Sequence, residues 1–377
     1  MKTILILSFS DLGSDPRVNR QIRFLSQDYR VIAVGSADPD VEGVDFIHVP
    51  KVIDKIRIIL TSPQLLLHQF EHWYWGQKHV IHCYQKISHL HADLILANDI
   101  ETLPLTLRLA KDAKVIFDAH EYAPRQLDDI LYRKVFFQKY ITHLCKTYIP
   151  QVDAMTTVCQ SIANIYEKNF GIKPIVITNA QDFEDLQPGL FYNDKATIRL
   201  IYHGHASPSR RTDNMIKMMD HLDGRFELYM MLTDANPRYV NFLKRFAERN
   251  HHIHFLPPVP MRTLPRYLNQ YDIGVFLLEP TNFNYFHTLP NKFFEFIQAR
   301  LAVAIGPSPD MARLTRQHDL GVVAKDFSPR SLAQCLLSLD HKKIEYYKSQ
   351  SHKVAHLMSA EQNKRILLDL VQTVLNE

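Results

Sequence analysis

Short unbroken apolar runs recur along the chain, and most lead through a polar loop into apolar residues spaced three and four apart. The first run, KTILILSF at 2–9, reads as a strand covered on both faces. Gly13 stands in the loop after it. Ser14 or Asp15 is placed to cap a helix with Pro16 at its first position, and Val18, Ile22 and Leu25 supply the apolar face. Strands follow at 29–36 and 45–50, so strand, helix, strand opens a doubly wound sheet. More strands are expected at 92–99, 114–122, 153–158 and 174–180, with helices at 103–111, 128–148 and 161–171. Gly171 is a natural end for the last helix. Residues 181–196 are polar and without apolar period, which marks a linker.

The pattern then begins afresh. TIRLIYHGH at 197–205 is a buried strand breaking at Gly204, followed by the loop ASPSRR and the helix TDNMIKMMDHL. Strands are expected at 226–232, 252–259, 272–280, 301–305 and 321–326, and helices near 235–250, 262–270, 328–339, 341–357 and 360–376. In 282–306, NFNYFHTLPNKFFEFIQARLAVAIG, Pro290 can open a helix that carries Asn291, Lys292 and Glu295 early, backed by Phe293, Phe294, Ile297 and Leu301. A helix N-terminus attracts phosphate, Lys292 adds a full charge, and Glu295 can accept from vicinal hydroxyls. An ordinary amphipathic helix with a solvated Lys and Glu fits the same spacing.

Several strand ends carry chemistry. The run at 92–99 finishes in Asn98 and Asp99, and that at 114–122 runs into Asp118, His120 and Glu121. Ligands of open parallel sheets bind beyond the strand C-termini, where His120 between carboxylates can act as a base or hold a hydroxyl. A plain helix cap at Asp118 or Glu121 is the alternative. Arg210 and Arg211 are a plausible diphosphate clamp or two solvated side chains, and His203 and His205 straddle Gly204. Residues 51–91 are helical in period and rich in Lys, Arg, His and aromatics, with Trp73, Tyr74 and Trp75 together. They read as packed core helices or as a patch resting on anionic lipid. His68 and His72 share a helical face, but Glu71 is out of place and no third ligand is evident, so no metal is expected.

Composition narrows the classes. With 377 residues, 46% hydrophobic and 22% charged, two or three ordinary globular domains are expected. A net charge of +4 suits an anionic substrate or surface and is too small to argue for nucleic acid. Four scattered cysteines, Cys83, Cys145, Cys159 and Cys335, point to a reducing compartment. The N-terminus reads as a buried strand, not a signal peptide, and no run is long enough to span a membrane.

Five stretches, in order, resemble the GT-B glycosyltransferases, and among them the large retaining bacterial family 4. They are SDPRVNRQIRFL, ANDIETLPL with FDAHEYAP, TVCQSIANIYEKNFGIKPIVITNA, YHGHASPSRR and LPNKFFEFIQARLAVA. The resemblance implies an α/β GT-B fold of two Rossmann-like, doubly wound domains facing across a cleft. Residues 1–185 would be the acceptor domain and 197–358 the donor domain, with 359–377 a helix packing back on the first. It implies transfer of a sugar from a nucleotide-diphosphate sugar to a hydroxyl of a saccharide or lipid-linked saccharide, in bacterial surface polysaccharide synthesis. No cofactor and no metal are implied. The protein would be cytoplasmic, on the inner face of the plasma membrane, touching anionic lipid through 51–91.

By the same resemblance Glu295 would hold the donor ribose. Arg210, Lys292 and the backbone of Asn291 would hold the diphosphate, with Gly13 and Gly204 giving room. His120, Arg210 and Lys292 would be catalytic, and Asp99, Glu121, His205 and His287 would face donor sugar or acceptor. Two positions depart from the family. Its Glu-x7-Glu would place the first Glu at 287, which is His287, and the basic residue after the second-domain glycine, often Arg, is His205. Both bear on how the transferred sugar is held and on retention. A GT-B epimerase or phosphorylase, or a catalytically degenerate GT-B scaffold, is the alternative.

Overall fold

Each long apolar run becomes a strand paired in parallel, because helices on both faces leave no strand side for water. The computed structural model describes residues 1–50, 60–189, 197–233 and 236–377. Contacts divide the chain into Met1–Thr178 with Lys364–Glu377 (unit 1) and Asn179–Asn363 (unit 2).

Unit 1 holds β1 (Thr3–Leu7), β2 (Arg30–Gly35), β3 (Asp45–His48), β4 (Leu94–Asn98), β5 (Lys114–Ala119), β6 (Ala154–Thr157) and β7 (Ile175–Val176). Their order is β3-β2-β1-β4-β5-β6-β7. The order reverses at β1, where Ile4 pairs with Val31 on one side and Leu94 on the other. Such switch points are where doubly wound sheets bind ligands. Unit 2 holds β8 (Ile198–His205), β9 (Phe226–Thr233), β10 (Ile253–Leu256), β11 (Ile273–Phe276), β12 (Ala302–Ile305) and β13 (Gly321–Val323), in the order β10-β9-β8-β11-β12-β13. Gly274 is required by packing: a Cβ there would sit 2.3 Å from the Phe296 ring, so the helix Asn291–Gln298 lies tightly on β11.

Several expected elements are shorter. The strand expected at 174–180 is Ile175–Val176 alone, and that at 272–280 is Ile273–Phe276. β5 stops at Ala119, which puts His120 and Glu121 in the turn beyond it. The helix expected at 128–148 is regular only over Gln138–Tyr148, behind a wider turn at Arg133–Phe137. A helix at Pro309–Gln317, absent from the sequence reading, carries the chain from β12 to β13, since parallel neighbours need a crossover. Of the expected linker, 181–189 is gathered by unit 2. Arg300 is buried at φ +60° and donates to the carbonyls of Leu186 (3.2 Å) and Glu184, and the Ala360 N–H donates to Gln181 O at 2.7 Å. Residues 190–196 lie outside the described residues, as do 51–59 of the proposed lipid-facing stretch.

Candidate functional site

In unit 2 the C-terminal end of β8 and the start of the helix Asn291–Gln298 converge. Pro290 caps that helix from just outside it instead of opening it. Gly204, at φ +110°, turns the backbone where a side chain would meet Lys292: a Cβ there would lie 3.5 Å from Lys292 Nζ. The Lys292 side chain is 7% exposed, with Nζ over the rings of Tyr202 (4.2 Å) and Phe276 (4.4 Å). Among the described residues Nζ has no carboxylate or carbonyl hydrogen-bond acceptor, and Tyr202 is the one side chain that acts on it as an acceptor. Burial lowers its pKa, Tyr202 and Glu295 resist this, and Arg210 adds to it. Burial and then the charges of Arg210 and Lys292 likewise lower His205. Gly204, His205, Arg210, Lys292 and Glu295 therefore lie close enough to influence one another's charge.

Two details differ from the sequence reading. Arg210 and Arg211 were expected to act as a pair, yet Arg211, in the left-handed region, turns to Glu279 (3.6 Å). Arg210 has no carboxylate partner among the described residues. Left-handed backbone at Arg211 sends the two side chains apart. Glu295 is buried against His203, whose Nε2 lies 3.3 Å from Glu295 Oε2. Burial, then the Lys292 charge, lowers His203 to about 3, so its ring is neutral at pH 7. His287 ends the short helix Phe283–Phe286 and packs against the rings of Phe283 (4.6 Å) and Phe286 (5.0 Å), with Asp310 its charged neighbour.

In unit 1 the ends of β4 and β5 bring Asp99, His120 and Glu121 together. His120 Nε2 lies 3.2 Å from Asn98 Oδ1 and 3.3 Å from Asp118 Oδ2, and Nδ1 lies 3.5 Å from Asp99 Oδ2. Burial opposes its charge, but Asp99 and Asp118 outweigh burial and raise it to about 9. His120 is thus an imidazolium at neutral pH, with acceptors at both nitrogens. That removes the free lone pair a general base needs and favours the reading in which it donates to an oxygen. Burial, then the Asp99 charge, lifts Glu121 to about 7, against a hydrogen bond from Gln126.

Asp118 is no helix cap. It accepts from Arg17 Nε (2.6 Å) and Nη2 (2.5 Å), Gln21 Nε2 (2.6 Å) and Thr156 Oγ1 (2.5 Å). Despite burial, Arg17 holds its carboxyl well below the usual range. Arg17 and Gln21, whose bonds to Asp118 the sequence reading did not anticipate, lie on the helix Pro16–Leu25, which Asp15 caps through the N–H groups of Arg17 and Val18. Both are 7% exposed, and spacing alone does not single them out, since Asn19 and Arg23 flank the same apolar positions 18 and 22 and are only half-buried. Gly13 stays in the loop after β1, its N–H donating to Asp11 Oδ1 at 3.0 Å. Among the described residues no cluster of three or more His, Cys, Asp or Glu is placed to hold a metal ion.

No protein-family model matches the chain, and no curated protein matches it in sequence. Solved structures do match in fold. Sucrose-phosphate synthase from Thermosynechococcus elongatus aligns at TM-score 0.73 and 11% identity, over 100% of both chains. Alr3699/HepE from Anabaena, solved in complex with UDP and glucose, aligns at 0.69 and 12% identity, over 99% of this chain and 100% of that one. A glycosyltransferase from Rickettsia africae ESF-5 aligns at 0.66 and 14% identity, over 99% and 98%. At these identities the likeness carries the architecture: a chain of two parallel-sheet units with the GT-B fold of glycosyltransferases.

Proposed function

We propose that the chain is a glycosyltransferase that takes a sugar from a nucleotide-diphosphate sugar and passes it to a hydroxyl of a saccharide or lipid-linked saccharide, in building a bacterial surface polysaccharide. The observation that carries this reading is Lys292: a buried ammonium with no ion-pair partner among the described residues, beside Gly204 and near Arg210. A buried cation is costly unless an anion reaches it, and a diphosphate is such an anion. The neighbour from Anabaena was solved with UDP, which makes UDP the first nucleotide to test.

In this reading the bond between the sugar's C1 and the diphosphate oxygen breaks, and the electron pair leaves with the nucleoside diphosphate. Arg210 and Lys292 stabilise the charge that appears on the departing oxygens. The acceptor oxygen bonds to C1 on the face the diphosphate leaves, and its proton passes to a departing phosphate oxygen. Fixed cations do this work without a metal or cofactor. Glu295 holds the ribose once a ligand draws it from His203, Asn291 offers backbone N–H groups, and His205 and His287 border the sugar. In unit 1, His120 donates to an oxygen of sugar or acceptor, and Asp99 and Glu121 accept from hydroxyls.

Thermal unfolding with and without UDP, GDP and UDP-glucose tests this, since a ligand bound only by the folded state raises Tm. We expect a rise with UDP or UDP-glucose. Arg210→Ala should weaken binding about tenfold, roughly the ~1.5 kcal/mol of a hydrogen bond to a charged group. If Arg210→Ala and Glu295→Ala bind every nucleotide as the parent does, the site assignment is wrong.

A further inference from the structure

The aromatic cluster at 73–75, which the sequence offers to a membrane, is spent inside unit 1. Trp73 is 7% and Tyr74 2% exposed, and Trp75 is occupied by Glu71 on its indole N–H and by the Arg108 guanidinium over its ring. One exposed aliphatic patch of unit 1 comes from two segments remote in sequence. Leu60, Leu66 and Leu67 stand out at one, and Ile130, Leu131 and Val135 at the other, with Leu67 71% and Leu131 75% exposed. The helix Pro63–Leu66 packs against the turn Arg133–Phe137, so the two sets are neighbours. The turn's inner side explains its outer one. Phe137 is buried against Trp73 (ring centres 5.6 Å apart), which leaves Leu131 and Val135, one helical turn apart, facing water.

Monomeric proteins seldom leave a run of large aliphatic side chains to solvent without a partner. The charge at the margin says which partner. Lys134 and Lys139 are exposed, and Arg133 is half-buried with its guanidinium over the Phe137 ring (5.0 Å). On the acidic side Asp128 is neutralised by Arg125 at 2.5 Å, and the carboxylates of this turn are outnumbered by its cations. A second copy of this face would bring like charges together. A surface apolar below and anionic above would satisfy both parts.

We propose that this face of unit 1 rests on an anionic phospholipid surface, with Leu66, Leu67, Leu131 and Val135 at the acyl boundary and Lys134 and Lys139 among the headgroups. Aliphatic side chains at a bilayer boundary and lysines near anionic headgroups each stabilise such contact. The inference deepens the proposed function, because a lipid-linked acceptor lies on such a surface. It does not depend on catalysis.

The test is co-sedimentation of the full chain with vesicles, without any sugar nucleotide. One set is phosphatidylcholine alone and the other also contains phosphatidylglycerol. We expect binding to the second set that weakens with salt. Leu131→Asp with Val135→Asp, both exposed, should lower it at least about tenfold, and Lys134→Glu with Lys139→Glu should lower it by about the same factor. The UDP-dependent rise in Tm should be unchanged in both double variants, which confirms their fold and separates this proposal from the nucleotide site. Equal partition of parent and variants, or no binding to anionic vesicles, overturns the proposal. So does a parent dimer that Leu131→Asp splits, since the face would then join two copies.

Discussion

Asp118 in unit 1 and Lys292 in unit 2 are both charged side chains buried where parallel strands end, and their surroundings are opposite. Asp118 is met by Arg17, Gln21, Thr156 and His120. Lys292 meets two aromatic rings and, among the described residues, no ion-pair partner. A buried charge with full partners is finished: it fixes geometry and asks nothing of a ligand. A buried charge without them is a site in waiting, stable only because the fold around it is stable. On the proposed reading, unit 1 orients and unit 2 is completed by an anion.

The largest effect is expected from breaking the finished side. Arg17→Met strands the Asp118 carboxylate and should cost about 3–5 kcal/mol in urea unfolding at neutral pH. Because Arg17 depresses the Asp118 pKa, its stabilisation is present above the unfolded value of 3.8 and fades as pH falls below it. The gap between parent and variant should narrow in acid. A loss under about 1 kcal/mol at neutral pH would show that Asp118 does not need its cation.

The next effect sits in unit 2. His203 is buried neutral with a pKa near 3, against 6.5 when unfolded. Between those values the unfolded chain takes up a proton that the folded chain refuses, so stability falls as pH drops from about 6.5. By pH 5 the loss should be ~2 kcal/mol. His203→Gln should abolish that slope. An unchanged slope would mean that the ring is protonated in place, drawn by Glu295.

Sequence reading reached the strand order of chemistry well. Gly204, Lys292 and Glu295 lie together because one strand end and one helix start carry them, and such local pieces are visible in spacing. Long-range choices were not. Nothing local shows that Arg17 reaches Asp118 across 101 positions, or that Arg211's backbone is left-handed and its side chain turns to Glu279. The tryptophans left two readings open for a related reason, and the structure takes the packed one. Aromatic and basic composition is shared by a packed helical layer and a lipid-facing one, and only tertiary contacts separate them.

Lys292→Met breaks the comparison from the other side. Removing a buried ammonium that has no ion-pair partner among the described residues should leave the protein as stable as the parent or about 1 kcal/mol more so, while the UDP-dependent rise in Tm disappears. Function and stability then move in opposite directions, the reverse of Arg17. A clear loss of stability in Lys292→Met would show that its cation–π contacts already suffice and that no anion is awaited.

The smallest effect discriminates the two neighbouring arginines. Arg211 is exposed and 3.6 Å from the half-buried Glu279, a pair that solvent screens. Arg211→Ala should therefore change stability by no more than about 0.5 kcal/mol. It should also leave UDP affinity within about twofold, against the tenfold expected for Arg210→Ala. Both substitutions remove the same charge, so long-range attraction cannot tell them apart, and any difference must come from direction. Left-handed backbone at Arg211 is what aims the two side chains apart. Equal losses of affinity in isothermal titration would mean that the loop rearranges around the nucleotide and that both guanidinium groups reach it.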